Sequence, residues 1–292
     1  MLTWARRWIT HHPLISFIVI NYTISWTLLY PAFRMILAAK GSFPPLAIVG
    51  LIGGYGPSIA AILVVAATDG KQGVRSALRR FLEWGVPIRW YLYVLVLPVC
   101  VYALAIVVHI RPPVDVLAGL RAIPLAWLIA LPFGPLGEEL GWRGYLLPRL
   151  LERFDIRSAT LIVGLVWTVW HVAAFAFSGA AIPSVFPVRA FTIGLFAVQI
   201  TTEACIFTYV YLNTRGSLLI AVLLHMSFNA SRGIVDGFLP SIGDADALER
   251  QAYVTSLWIM VVWAAATFVI DRTLRSNRAP GPGADSTPAT TG

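Results

Sequence analysis

The stretch LAGLRAIPLAWLIALPFGPLGEELGWR, running from Leu117 to Arg143, decides how this chain folds. Its first part, Leu117–Leu136, carries a single charge, Arg121. As a helix it is long enough to cross ~30 Å of hydrocarbon. Glu138, Glu139 and Arg143 follow at once, where the span ends or continues past the membrane edge. An ionisable group at membrane depth costs ~2.5–3.5 kcal/mol on insertion scales and therefore points to use. Outward from this stretch, comparable apolar runs recur at Leu14–Leu37, Leu46–Ala67, Trp90–His109, Ser158–Phe177, Val188–Leu212, Ser217–Val235 and Tyr253–Ile270. The expectation is an all-α polytopic membrane protein of about eight transmembrane helices.

Composition agrees. Of 292 residues, 58% are hydrophobic and 12% charged, and the mean hydropathy is +0.75. A soluble domain has about 25% charged residues. The net charge of +8 would suggest nucleic acid in a soluble protein. Here Lys and Arg border the apolar runs, so topology explains them and no nucleic-acid partner is expected; the partner is the lipid bilayer. With the N-terminus inside, the inner side collects Arg6, Arg7, Lys71, Arg75, Arg79, Arg80, Arg89, Arg143, Arg149, Arg153, Arg157, Arg215, Arg272, Arg275 and Arg278, which is 15 of the 22 Lys and Arg. Asp236, Asp244, Asp246 and Glu249 make the last outer loop acidic. Both termini are thus predicted to be cytoplasmic in the cell membrane. Arg6 and Arg7 precede an apolar run without a small-residue cleavage site, which predicts a retained span rather than a signal peptide. Cys100 and Cys205 lie in apolar stretches and are expected to be small buried hydrophobes, not a disulfide or zinc framework.

The organisation expected along the chain is an N-terminal set of helices in 1–115, a catalytic core in 116–235, a last span in 236–278 and a disordered tail in 279–292. Within the first part, 70–89 mixes basic residues with Val74, Ala77, Leu78, Phe81 and Leu82 at helical spacing, as in an amphipathic helix at the headgroups. Gly53 and Gly54 suit close helix packing.

Three polar pieces interrupt the core: Glu138-Glu139-Leu140-Gly141-Trp142-Arg143, Trp167-Thr168-Val169-Trp170-His171 and His225-Met226-Ser227-Phe228-Asn229. Glu139 and Arg143 are four apart and share a helix face, so Arg143 holds Glu139 ionised while Glu138, turned about 100° away, is available as a base. His225 and Asn229 share a face in the same way. Singly these fit a solvated ion pair, a core histidine and a buried packing Asn; jointly they fit an active site. With the fourth run leaving the membrane inward at Glu138 and the seventh entering at about Ser217, His225 lies roughly 12 Å deep at 1.5 Å per residue. By the same rise His171 lies roughly 20 Å from Ser158, so the fifth helix is expected to start later, near Leu161.

Two chemistries suit a Glu beside two His. In one, a Glu and a His hold a water, the Glu takes its proton during attack on a peptide carbonyl, and His225 and Asn229 donate to the oxyanion; no cofactor is then required. In the other, Glu138, His171 and His225 ligate a divalent metal such as zinc.

The motif set, Glu138-Glu139-x-x-x-Arg143, Trp167-x-x-x-His171 and His225-x-x-x-Asn229 in this order, resembles the CPBP family of intramembrane endopeptidases, the CAAX-protease and bacteriocin-processing or Abi group. The resemblance covers about Ala122 to Arg232 and includes Thr214-Arg215-Gly216-Ser217-Leu218; Trp167 stands where the family usually has Phe. It implies that Glu138 activates water with His171, that His225 and Asn229 bind the oxyanion, and that Glu139 and Arg143 are structural support. It also implies a membrane-embedded or lipid-anchored protein or peptide as substrate. The competing expectations are a non-cleaving immunity or binding protein on the same scaffold, and a proton-coupled transporter using the intramembrane Glu and His. Glu203, in the sixth run, is expected to pair with Arg215 or line the cavity.

Overall fold

The computed structural model describes residues 2–39, 44–109, 115–171, 190–238 and 245–270, and no strand occurs among them. The helices are α1 (Leu2–His11), α2 (Pro13–Ala38), α3 (Ala47–Leu51), α4 (Gly56–Thr68), α5 (Gly70–Arg79), α6 (Ile88–Val107), α7 (Val116–Ala130), α8 (Pro135–Gly141), α9 (Leu147–Leu151), α10 (Ile156–His171), α11 (Ala190–Asn213), α12 (Leu218–Phe238) and α13 (Ala245–Ile270). Among the described residues Pro13–Ala38, Ala47–Thr68, Ile88–Val107 and Phe191–Asn213 are each long and apolar enough to cross a membrane. The pair Val116–Ala130 and Pro135–Leu151 adds a fifth if it is one bent span. The chain is an all-α polytopic membrane protein. The tail 279–292, the basic residues Arg272, Arg275 and Arg278, and the end of the fifth run at Phe177 lie outside the described residues.

Its outer surface is apolar in the manner of a lipid-facing protein. Leu92, Leu104, Leu120, Leu128, Leu165, Val198 and Val262 all point outward. Such a belt is unfavourable in water and neutral in hydrocarbon. The polar side chains Asn21, Ser25, Thr160, Thr208 and Ser227 are buried instead.

α12 is the central helix, packed against α7 and α6, while α10 pairs with α11 and α2 with α4. Tyr22 and Trp26 of α2 donate to the carbonyls of Val166 and Trp170, satisfying the C-terminal turn of α10. Asp155 caps the other end, accepting from the amides of Arg157 and Ser158 and from the Ser158 hydroxyl. α10 therefore starts at Ile156, not near Leu161 as expected: a good cap begins a helix before hydropathy marks it.

Three other expectations change. The amphipathic segment is helical only to Leu82, in α5 and a 3-10 turn over Arg80–Leu82. Val74, Ala77 and Phe81 pack on the core, but Leu78 and Leu82 are exposed. Cys100 is exposed rather than buried, facing outward from α6, and Cys205 is half-buried; both are free thiols. Gly53 does approach α2, since a Cβ there would lie 2.8 Å from Leu28 Cβ, whereas a Cβ on Gly54 would meet nothing.

Candidate active site

The decisive local feature is the break between α7 and α8. Leu131–Gly134 interrupts the helix, Pro132 and Pro135 remove two amide donors, and the halves meet at 53°. A break at membrane depth must satisfy its freed carbonyls internally. Tyr55 Oη donates to Pro132 O at 2.9 Å, and Asn229 Nδ2 donates to Phe133 O at 3.4 Å. Glu138 and Glu139 thus sit inside the fold in the first turns of α8, not at a helix end on the membrane edge. Glu138 is 4% exposed, and Glu139 and Arg143 are fully buried, which overturns a solvated ion pair.

Glu139 Oε1 accepts from Arg143 Nη1 at 3.0 Å and from His225 Nδ1 at 2.7 Å. One carboxylate thereby joins α8 to α12. The Arg143 guanidinium lies over the rings of Phe207 and Trp167, at 3.8 and 4.4 Å from their centroids. Among the described residues its Nε and Nη2 make no hydrogen bond; the ring faces supply compensating negative potential. Breaking a buried pair of this kind costs about 3–5 kcal/mol. Glu138 faces elsewhere, as the 3.6-residue turn requires. Its Oε2 accepts from Trp142 Nε1 at 2.9 Å and Trp167 Nε1 at 2.7 Å, which leaves Oε1 toward the cavity.

The cavity has a volume of about 640 Å³ and is lined by Glu138, His171, Glu203, His225 and Asn229 among largely apolar and aromatic neighbours. Its focus is Gly134. A Cβ there would lie 3.1 Å from Asn229 Nδ2, 3.2 Å from Glu138 Oε1 and 3.4 Å from His225 Nε2. A carboxylate oxygen, an imidazole nitrogen and an amide nitrogen therefore border one small space that only a glycine leaves open. Asn229 is exposed to this cavity, not buried for packing. His171 is half-buried on the cavity wall and donates from Nδ1 to Trp167 O at 2.9 Å. Among the described residues no group of three or more His, Cys, Asp or Glu is arranged to hold a metal ion.

The expected pair Glu203–Arg215 does not form. Glu203 lines the cavity and accepts from Gln199, while Arg215 donates to Gly85 O. Sequence reading did not single out Trp142, Phe207 or Arg80. Trp142 follows Glu138 by four residues, a legible signal; Phe207 and Arg80 come from other elements and left none. Arg80 donates to the carbonyls of Arg143, Gly144 and Gly216 and to Tyr211 Oη.

The architecture defines a polytopic helical membrane protein whose interior carries a carboxylate–imidazole–amide cluster. A family model described as type II CAAX prenyl endopeptidase Rce1-like matches residues 120–231. CAAX prenyl protease 2 of Methanococcus maripaludis is 24% identical over 151 residues, 51% of this chain and 51% of the relative. The chain spans about half the length of that curated relative. These matches fall on the residues whose geometry is given above, and over that stretch the chain is similar to the type II CAAX prenyl endopeptidases.

Proposed function

We propose that this chain is an intramembrane endopeptidase that hydrolyses a peptide bond of a membrane-embedded or lipid-anchored protein or peptide, with water activated by Glu138. The observation that carries this reading is the convergence of Glu138 Oε1, His225 Nε2 and Asn229 Nδ2 beside Gly134. The two indole N–H groups fix the carboxylate through Oε2, so Oε1 is the proton acceptor. Water held by Oε1, with His171 beside it, gives up a proton as its oxygen attacks the carbonyl carbon. Asn229 Nδ2–H and His225 Nε2–H receive the oxyanion. For Nε2 to donate while Nδ1 donates to Glu139, His225 must carry both protons. As the C–N bond breaks, the proton passes from Glu138 to the leaving amine. Glu139 and Arg143 hold the two helices in register.

The test is Glu138→Gln in proteoliposomes, assayed on a library of acyl-anchored peptides with cleavage read by mass spectrometry. The amide keeps the shape but accepts no proton, so the rate should fall by ~10²–10⁴. A Gln variant retaining a tenth of wild-type activity would exclude Glu138 as the base. Metal content is measured on the same samples. One zinc per chain, lost together with activity in His171→Ala, would replace the glutamate route with a metal one.

A further inference from the structure

Glu203 lies near the middle of α11, is 8% exposed and borders the cavity. A carboxylate at that depth is expensive unless it is used. None of the three motifs uses it, and among the described residues no Lys, Arg or His forms an ion pair with it. Among the described residues its one hydrogen-bond partner is Gln199, one turn earlier, whose Nε2 donates to Oε1 at 2.8 Å. That contact orients the carboxylate and leaves Oε2 uncommitted. Two hydroxyls of the same cavity, Ser231 and Ser256, spend their protons on the carbonyls of Ser227 and Tyr253. A buried carboxylate oxygen of this kind calls for a donor, best a charged one.

Its position relative to the reaction site is set by α11. Phe207, four residues after Glu203, meets Trp167 and His225 edge-on, with centroids at 5.7 and 5.8 Å. Four residues of helix advance roughly 6 Å. An extended peptide advances about 3.3 Å per residue. A side chain reaching Glu203 therefore belongs to a residue about two positions from the bond held at Glu138.

We propose that Glu203, oriented by Gln199, is a specificity subsite that receives a cationic side chain, Lys or Arg, of the substrate about two residues from the scissile bond. This rests on the protease reading above. The experiment uses the full chain in proteoliposomes and acyl-anchored quenched peptides around the cleaved bond identified with wild type. The peptides are identical except for Lys, norleucine or Glu at the second position on either side. Wild type should prefer Lys over norleucine by roughly tenfold in kcat/KM, the yield of one charge-assisted contact. Glu203→Gln should bring that ratio near unity, and Glu203→Asp, which keeps the charge, should retain part of it. Each ratio is taken within one protein, so a changed folded fraction cancels. Equal Lys preference in wild type and Glu203→Gln, or none in a wild type that cleaves, overturns the subsite. A wild type that cleaves no peptide sinks the protease reading instead. Fluorescence-polarisation binding of the Lys and norleucine peptides to wild type and Glu203→Gln in nanodiscs then still decides the subsite.

Discussion

Gly134 adopts φ 115° and ψ −75°, a conformation that L side chains rarely take, and a Cβ there would fill the space its neighbours converge on. Gly134→Ala carries backbone strain of about 1–3 kcal/mol. It should also lower turnover by at least ~10², the loss expected when one oxyanion donor is displaced. Turnover at matched folded fraction checks this; a wild-type rate would place the reaction elsewhere. Asp155 shows a residue effect of another kind. Hydrogen bonds from the Ser158 hydroxyl and amide hold its carboxyl below the ordinary range. A lowered folded value means that the cap stabilises above the unfolded pKa of about 3.9 and is lost as pH falls through the folded one. The melting temperature of Asp155→Ala should therefore lie below wild type at neutral pH and meet it in acid. A gap that persists in acid would mean that packing, not the charged cap, is at stake.

At the scale of elements, the site is a junction of α8, α10 and α12, and its register depends on contacts that neither motif contains. A π-turn over Trp142–Leu146 follows α8 and shifts the carbonyl ladder. Arg80, from the segment after α5, reaches the carbonyls of Arg143 and Gly144 in that turn and Gly216 O before α12. One guanidinium thus sets the spacing between the helix bearing Glu138 and the helix bearing His225. Arg80→Lys keeps the charge but has no planar fork to span both. It should lower kcat by about ten- to a hundredfold, corresponding to about 1.5–3 kcal/mol for charge-assisted hydrogen bonds, with KM little changed. Steady-state kinetics at matched folded fraction test this; a change confined to KM would assign Arg80 to substrate binding. On the opposite face of α8, a Cβ on Gly141 would lie 2.5 Å from Pro57 Cβ, so α8 packs directly on α4.

For the whole molecule, the outward Leu and Val belt and the inward polar cluster are two sides of one distribution. Lipid accepts the apolar surface, and the protein interior holds Glu139 by an ion pair with Arg143 and holds Glu138 and Glu203 by indole and amide hydrogen bonds. The basic residues of α5 and of the α9–α10 connection lie toward the same end of the bundle, where Arg149 pairs with Asp69 at 2.8 Å. The positive-inside bias predicts that this end, with both termini, is cytoplasmic. Single cysteines placed at Lys71 and Arg153 in a chain lacking Cys100 and Cys205 should react with an impermeant maleimide only in inside-out vesicles. Labelling of either from the outside would reverse the topology.

The class of fold and the candidate site residues were legible along the chain. Hydropathy is averaged over a span, so the apolar runs anticipated α2, α6, α11 and α12 to within a few residues. Four-residue spacing likewise anticipated the Glu139–Arg143 pair, a local contact within one helix. Polar extensions were not visible in this way: α13 begins at Ala245 rather than Tyr253, because helix formers continue a helix beyond its apolar part. Only tertiary structure decided the rest. The break at Leu131–Gly134 turned Glu138 from a membrane-edge residue into a buried one. Whether Glu203 met Arg215 or Gln199, whether His225 took Glu139 as its partner, and which carboxylate oxygen the indoles left open depended on the rotation and depth of packed helices. No spacing along a single chain encodes those quantities.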